Sequence, residues 1–160
     1  MGKKSVKENK SVYQLAREEA GLSRMAAEDV TDEKLAASRI EKIENGMQKA
    51  RPDEVVNMAR AYNKPELCNY FCTNECDIGK IYVPAVETIH DLPQITMEIL
   101  SNLNALNRFK ERIIDITADG RVSDDERADF ELFRMQLADM SLSIETLKIW
   151  AEKLIEDNKD

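Results

Sequence analysis

Apolar positions follow two regimes along this chain. Up to about residue 76 they come in short groups, each opened by a capping residue and closed by a turn residue. From about residue 91 they recur every three or four positions, which is the spacing of one helix face. In the first regime Ser11-x-x-Gln14 is a capping box, and it predicts a helix through Val12, Leu15 and Ala16 that Gly21 stops. Ser23 then caps a helix from Arg24 to Asp29 with Met25, Ala26 and Val30 as its apolar face. Thr31 or a neighbour opens a third helix, with Leu35, Ile40 and Ile43 inward and Asn45-Gly46 at its end. Pro52, with Asp53 and Glu54 beside it, opens a fourth that carries Val55, Val56, Met58, Ala59 and Tyr62, and a short fifth begins near Pro65.

In the second regime Asp91 caps and Pro93 opens a helix whose seam is Leu92, Ile95, Ile99, Asn102, Leu106, Phe109, Ile113 and Ile116. After Asp119-Gly120, Ser123-x-x-Glu126 is another capping box. The alternation resumes at Phe130, Phe133, Leu137, Met140, Ile144, Leu147, Ala151 and Leu154. The second helix is then roughly 34 residues and about 50 Å long, folding back on a partner of about 40 Å. A tight turn forces the two to run antiparallel as a coiled-coil-like hairpin, with Asn102 as the polar residue of the seam. Leu100, Leu103, Ile114, Leu132, Met135, Ile149 and Trp150 make the apolar stripe wider than one seam needs, so a second hairpin or the N-terminal helices should cover it.

Composition agrees with an all-α chain, because glycine and proline are scarce and the apolar residues are mainly Leu, Ile, Ala and Met. No run reaches the roughly 20 apolar residues that cross a bilayer, and nothing in the pattern targets the chain out of the cytoplasm. The formal net charge is −8, which argues against a generally basic coat for nucleic acid or an anionic membrane. Its distribution is uneven. Residues 1–67 carry 13 basic and 12 acidic side chains, and residues 68–160 carry 10 and 19. Two segments with different partners follow from that asymmetry.

Short helices with a tight link between the second and third would let one helix enter a major groove while its predecessor crosses the backbone. The residues add a resemblance. The string Ala16-Arg17, Gly21-Leu22-Ser23, Ala26-Ala27, Ile40-Glu-Lys-Ile-Glu-Asn-Gly46, Pro52 and Met58-Ala59 resembles the XRE family of Cro and phage-repressor helix-turn-helix regulators, over about a third of the chain. The resemblance implies that the third helix reads bases in double-stranded DNA. On that reading Ala37, Ser38 and Arg39 stand at its front with Lys42 one turn on, and Arg39 alone has a fork suited to guanine. Ser23 and Arg24 at the start of the second helix, and Lys49 and Arg51 after the third, suit phosphates. The stretch from Gly21 to Gly46 is about two residues longer than the family pattern. Ala36 stands where a capping Ser or Thr is expected, and Asp32 and Glu33 would lie near phosphates.

Cys68, Cys72 and Cys76, spaced four apart, are half of a zinc signal or simply small buried thiols, and the second reading is preferred. Asp115, Thr117, Asp119, Gly120, Val122, Ser123 and Glu126 match the positions of an EF-hand loop, yet the same residues make a capped Asp-Gly turn. The turn is preferred, so neither metal nor cofactor is expected. With a single histidine, no nucleophile beside a base and no phosphate loop, no enzyme is expected either. The sequence thus predicts a cytoplasmic transcriptional regulator: a DNA-binding domain at 8–76, a linker at 77–90 and a hairpin at 91–158 that forms a homodimer or docks a partner. The alternative is an adaptor whose helix-turn-helix domain and acidic hairpin both bind proteins.

Overall fold

A computed structural model of the chain describes residues 9–31 and 34–157. Among the described residues there are eight helices and no strand: α1 (Val12–Glu19), α2 (Arg24–Val30), α3 (Ala37–Glu44), α4 (Pro52–Ala61), α5 (Glu66–Asn74), α6 (Gly79–Tyr82), α7 (Leu92–Thr117) and α8 (Arg127–Asp157). None is long and apolar enough to cross a membrane. Contacts divide the chain into two units. One runs to Val83 and takes in the chain from Ala151 onward, and the other runs from Pro84 to Trp150.

In the first unit the caps act where their chemistry requires. The Ser11 hydroxyl accepts the Gln14 N–H at 3.3 Å, and the Ser23 hydroxyl accepts the Ala26 N–H at 3.1 Å. Leu35, Ile40, Val55, Met58 and Leu67 are almost wholly buried and form the centre of the core. Each contributes on the order of 1.5–3 kcal/mol through the area it removes from water. The inward residue of α2 is Ala27, with no exposure, whereas Met25 is 74% exposed and Val30 is also exposed. Of the expected apolar face of α2, Met25 and Val30 are therefore turned outward and Ala26 is half-buried. A short helix can lie close against α3 only where its contact residue is no larger than a methyl group.

The third helix also begins later than expected. Thr31 ends α2, with its hydroxyl donating to the Glu28 carbonyl at 2.9 Å, and α3 starts at Ala37. Ala36 has no side chain to cap it, and Glu28 does the work from α2 by accepting the Ala37 N–H at 3.0 Å. At the other end Gly46, with φ of +69°, lets the Met47 N–H return to the Lys42 carbonyl at 2.9 Å, a left-handed position that a side chain would strain.

The stretch read as a linker contains α6. Gly79 is buried at its start, and a Cβ there would lie 2.2 Å from the Cys72 carbonyl oxygen. The Gly79 N–H donates to the Cys76 sulfur at 3.4 Å, so α6 packs on the backbone of α5 through the residue that has no side chain.

The second unit holds a long helix pair that packs together. Asn102 donates to the Ser143 hydroxyl at 2.9 Å and to the Asp139 carbonyl at 3.2 Å. Phe109 meets Phe133 edge-on with centroids 6.5 Å apart, and Arg112 donates to Asp129 at 2.7 Å. These pairs advance along α7 as they retreat along α8. Ile95, Ile116, Met140 and Ser143 are buried. Leu137 and Ile144, expected in the seam, are 45% and 47% exposed, and Leu154 is exposed as well. Ser143 stands inward in place of Ile144 and gives the Asn102 amide the shorter of its two acceptors, which an aliphatic side chain there could not supply.

Replacing Gly79 by alanine forces a methyl group against backbone that cannot swing away. We expect Gly79→Ala to lower the unfolding free energy by about 1–3 kcal/mol in urea titration, with the contact between α5 and α6 lost first.

Candidate nucleic-acid interface

The third helix is held on its inner side by Glu44, whose side chain has no exposure at all. Arg17 of α1 grips it with both a 2.6 Å bond from Nε and a 3.0 Å bond from Nη2, and Arg24 of α2 adds a 2.8 Å bond from Nε. Arg17 also donates to the Leu22 carbonyl at 2.7 Å, and Arg24 reaches Glu41 at 3.1 Å. Burial pulls the Arg17 pKa down, but the hydrogen bonds and charge of Glu44 outweigh it and leave the guanidinium above its ordinary value. Removing one partner of such a buried set leaves an uncompensated charge, at a cost of about 3–5 kcal/mol.

A second pair holds the flank. Arg39 donates to Glu54 of α4 through Nε at 2.7 Å and Nη2 at 2.8 Å, the two-pronged geometry in which a guanidinium best matches a carboxylate. Its Nη1 donates to the Gln48 side chain, and Nη2 also reaches the Lys49 carbonyl at 2.9 Å. Glu54 in turn accepts the Arg51 N–H at 2.8 Å, closing the start of α4. The Arg39 hydrogen bonds hold the Glu54 carboxyl below its ordinary range against the opposing effect of burial. With every guanidinium nitrogen engaged and only 24% of its side chain exposed, Arg39 presents no free fork to a base.

The remaining candidates fall as follows. Ser38 and Lys42 are exposed one turn apart on the outer side of α3, with Glu41 between them on the same side. Ala37 is half-buried at the first position of α3, and its N–H is taken by Glu28. Ser23 is committed to its cap and Arg24 to Glu44 and Glu41. Lys49 and Arg51 are exposed on the segment after α3, where Arg51 pairs with Asp53 at 3.2 Å. Asp32 and Glu33 lie outside the described residues. The carboxylates of Glu28, Glu44 and Glu54 organise the site, and the sequence reading missed all three in that role. Arg17, Arg39 and the Ala37 N–H lie 9 to 27 residues from the carboxylates they meet, beyond any local spacing rule, whereas the Glu54 bond to the Arg51 N–H spans three residues.

Neither metal pattern gathers a ligand set. Among the described residues no group of three or more His, Cys, Asp or Glu is placed to hold an ion. Cys68, Cys72 and Cys76 are half-buried, and burial pushes the Cys68 thiol up, away from the thiolate that binds metal. In the other loop Asp115 and Thr117 belong to α7, and the Thr117 hydroxyl donates to the Ile113 carbonyl at 2.7 Å. Asp119 accepts the Arg121 N–H at 2.9 Å and Glu126 the Ser123 N–H at 3.0 Å, so these oxygens close the turn.

Comparison with family models, with curated proteins and with solved structures finds no match for this chain.

The Arg39–Glu54 pair has a pH signature. A carboxyl whose pKa is lowered by folding adds stability that is complete above its unfolded pKa and is lost as pH falls through the folded value. Glu54→Gln should therefore cost about 2 kcal/mol near neutral pH. The difference from wild type should shrink below about pH 4.5, as followed by chemical unfolding at a series of pH values.

Proposed function

We propose that this protein is a sequence-specific DNA-binding transcriptional regulator of the XRE helix-turn-helix type, acting in the cytoplasm. In this reading α2 and α3 are the helix-turn-helix pair and α7 and α8 form an antiparallel hairpin. The observation that carries the reading is the division of α3 into a clamped side and a free one. Glu44 and Arg39 fix the helix against α1, α2 and α4, while Ser38 and Lys42 stand exposed on its outer side. A reading helix needs such rigidity, because base contacts depend on placing short side chains within hydrogen-bond distance of groove edges. Lys49 and Arg51, exposed just beyond, are placed on a segment that suits backbone phosphates.

Roles within the site then change from those the sequence suggested. Arg39 becomes a positioning residue that sets α3 against α4. Ser38 reads a base edge and Lys42 neutralises a phosphate. The adaptor reading draws on one specific observation: Arg17, Arg24 and Arg39 are all engaged by internal carboxylates, which leaves few cations for phosphates.

Selection from random duplexes with the full chain tests the function. A preferred sequence whose affinity falls with added salt supports regulation, because phosphate contacts release counterions. Binding no stronger than background at low salt would leave the adaptor reading in its place. Given a selected site, Lys42→Ala should weaken all duplexes alike and lower the salt slope by about one per subunit. Arg39→Ala should instead lower the unfolding free energy and weaken the selected site without changing which base is preferred at any position.

A further inference from the structure

Three helices of the first unit meet around a cavity of about 650 Å³. Val56 and Arg60 come from α4, Pro65 and Cys68 from the start of α5, and Glu152 and Ile155 from the end of α8, which belongs to this unit from Ala151 onward. Each pair is three or four residues apart, so both members point the same way from one helix. The cavity carries one charge of each sign, and neither is answered. Among the described residues Arg60 and Glu152 form no ion pair or side-chain hydrogen bond with each other or with a neighbour, while the adjacent Lys153 reaches Glu66 at 4.0 Å. Both charges are felt at Cys68. Burial raises the pKa of that thiol, the Glu152 carboxylate raises it further, and the Arg60 guanidinium lowers it. The walls are apolar and partly open: Val56 is 38% and Ile155 58% exposed, and Pro65 is buried.

We propose that this cavity binds a free amino acid with a large apolar side chain, its carboxylate on Arg60 and its ammonium on Glu152. The charges select the class. A guanidinium is best matched by the two oxygens of a carboxylate, and the Glu152 carboxylate by a charged donor. A simple acid would answer Arg60 but be repelled by Glu152, and a simple amine would do the reverse. A zwitterion answers both and adds no net charge. The walls then select among zwitterions, because Val56 and Ile155 lose their exposure to water only if the ligand brings apolar area of its own. The volume lies within the range of about 300–1,000 Å³ found for small-molecule sites, which leaves room for a branched or aromatic side chain. The inference is independent of the regulator reading, since none of these residues belongs to α2 or α3.

Isothermal titration calorimetry of the full chain with L-leucine, L-phenylalanine and L-tryptophan tests this. At least one should bind at millimolar concentration or below. For that amino acid, the acid lacking its amino group and the amine lacking its carboxylate should each bind at least about tenfold more weakly, the effect of one charged hydrogen bond. Arg60→Gln should erase the advantage over the amine, and Glu152→Gln the advantage over the acid. Both variants should keep the helical circular dichroism, because both side chains are exposed. Binding of none of the three, an acid or amine that binds as tightly as the amino acid, or variants that keep wild-type discrimination would each overturn the assignment. Should the amino acid bind as expected while no duplex is selected, the cavity assignment stands and the regulator reading falls.

Discussion

Burying the Glu44 carboxylate makes pairing obligatory, and the arrangement of the first unit depends on how that requirement is met. An ionised group with no exposure is tolerable only where nearly every lone pair is answered, and two guanidiniums from two different helices answer this one. Because Arg17 and Arg24 are long, their ends can meet a single carboxylate only if α1, α2 and α3 hold one relative placement. Apolar packing sets how closely these helices approach, since Ala27, Ile40 and Ile43 fill the space between them. The ion set decides their rotation, which non-directional burial leaves loosely specified.

The same logic passes to α4 through Arg39 and Glu54. The third helix is thereby fixed by carboxylates at both ends of its length, one its own and one from the helix that follows. Position along the chain explains why some of this was legible in the sequence. Ser11, Ser23 and Asp91 cap their helices because a side-chain oxygen and an N–H three residues on are local partners, visible as a spacing. Leu35, Ile40 and Ile43 were legible for a similar reason, since a helix repeats every 3.6 residues wherever it lies. Glu28 was not. Its service to Ala37 depends on a turn that folds nine residues back on themselves, and an acidic residue in a polar stretch carries no mark of that duty.

The seam of the helix pair shows a second kind of illegibility. A strict three-four count continues from Met140 to Ile144, yet Ser143 is buried and Ile144 is not. Hydrophobic periodicity weighs apolar residues alone, whereas the Asn102 amide imposes a polar requirement on whatever faces it. The polar residue of α7 selects a polar residue of α8, and the apolar one that the count prefers is moved to the flank. The change is local: Phe133, Met140 and Leu147 keep the inward places that the count gives them, and Ile144 yields its place to Ser143.

Specifying α3 by internal ion pairs has an electrostatic consequence for any duplex it meets. Arg17, Arg24 and Arg39 are matched in number by Glu44, Glu41 and Glu54, so the set carries no net charge as seen from a distance and adds little to the sequence-independent attraction of phosphates. Lys42, Lys49 and Arg51 remain at the surface, and Arg51 shares its charge with Asp53. A few phosphate contacts per domain give a shallow salt slope and weak binding by one copy. Joining two such domains makes the second contact intramolecular, at an effective concentration in the millimolar range for a short linkage. On the regulator reading, holding α3 rigid and attracting a duplex oppose each other: the ion pairs that fix α3 withdraw charge that would otherwise attract a duplex.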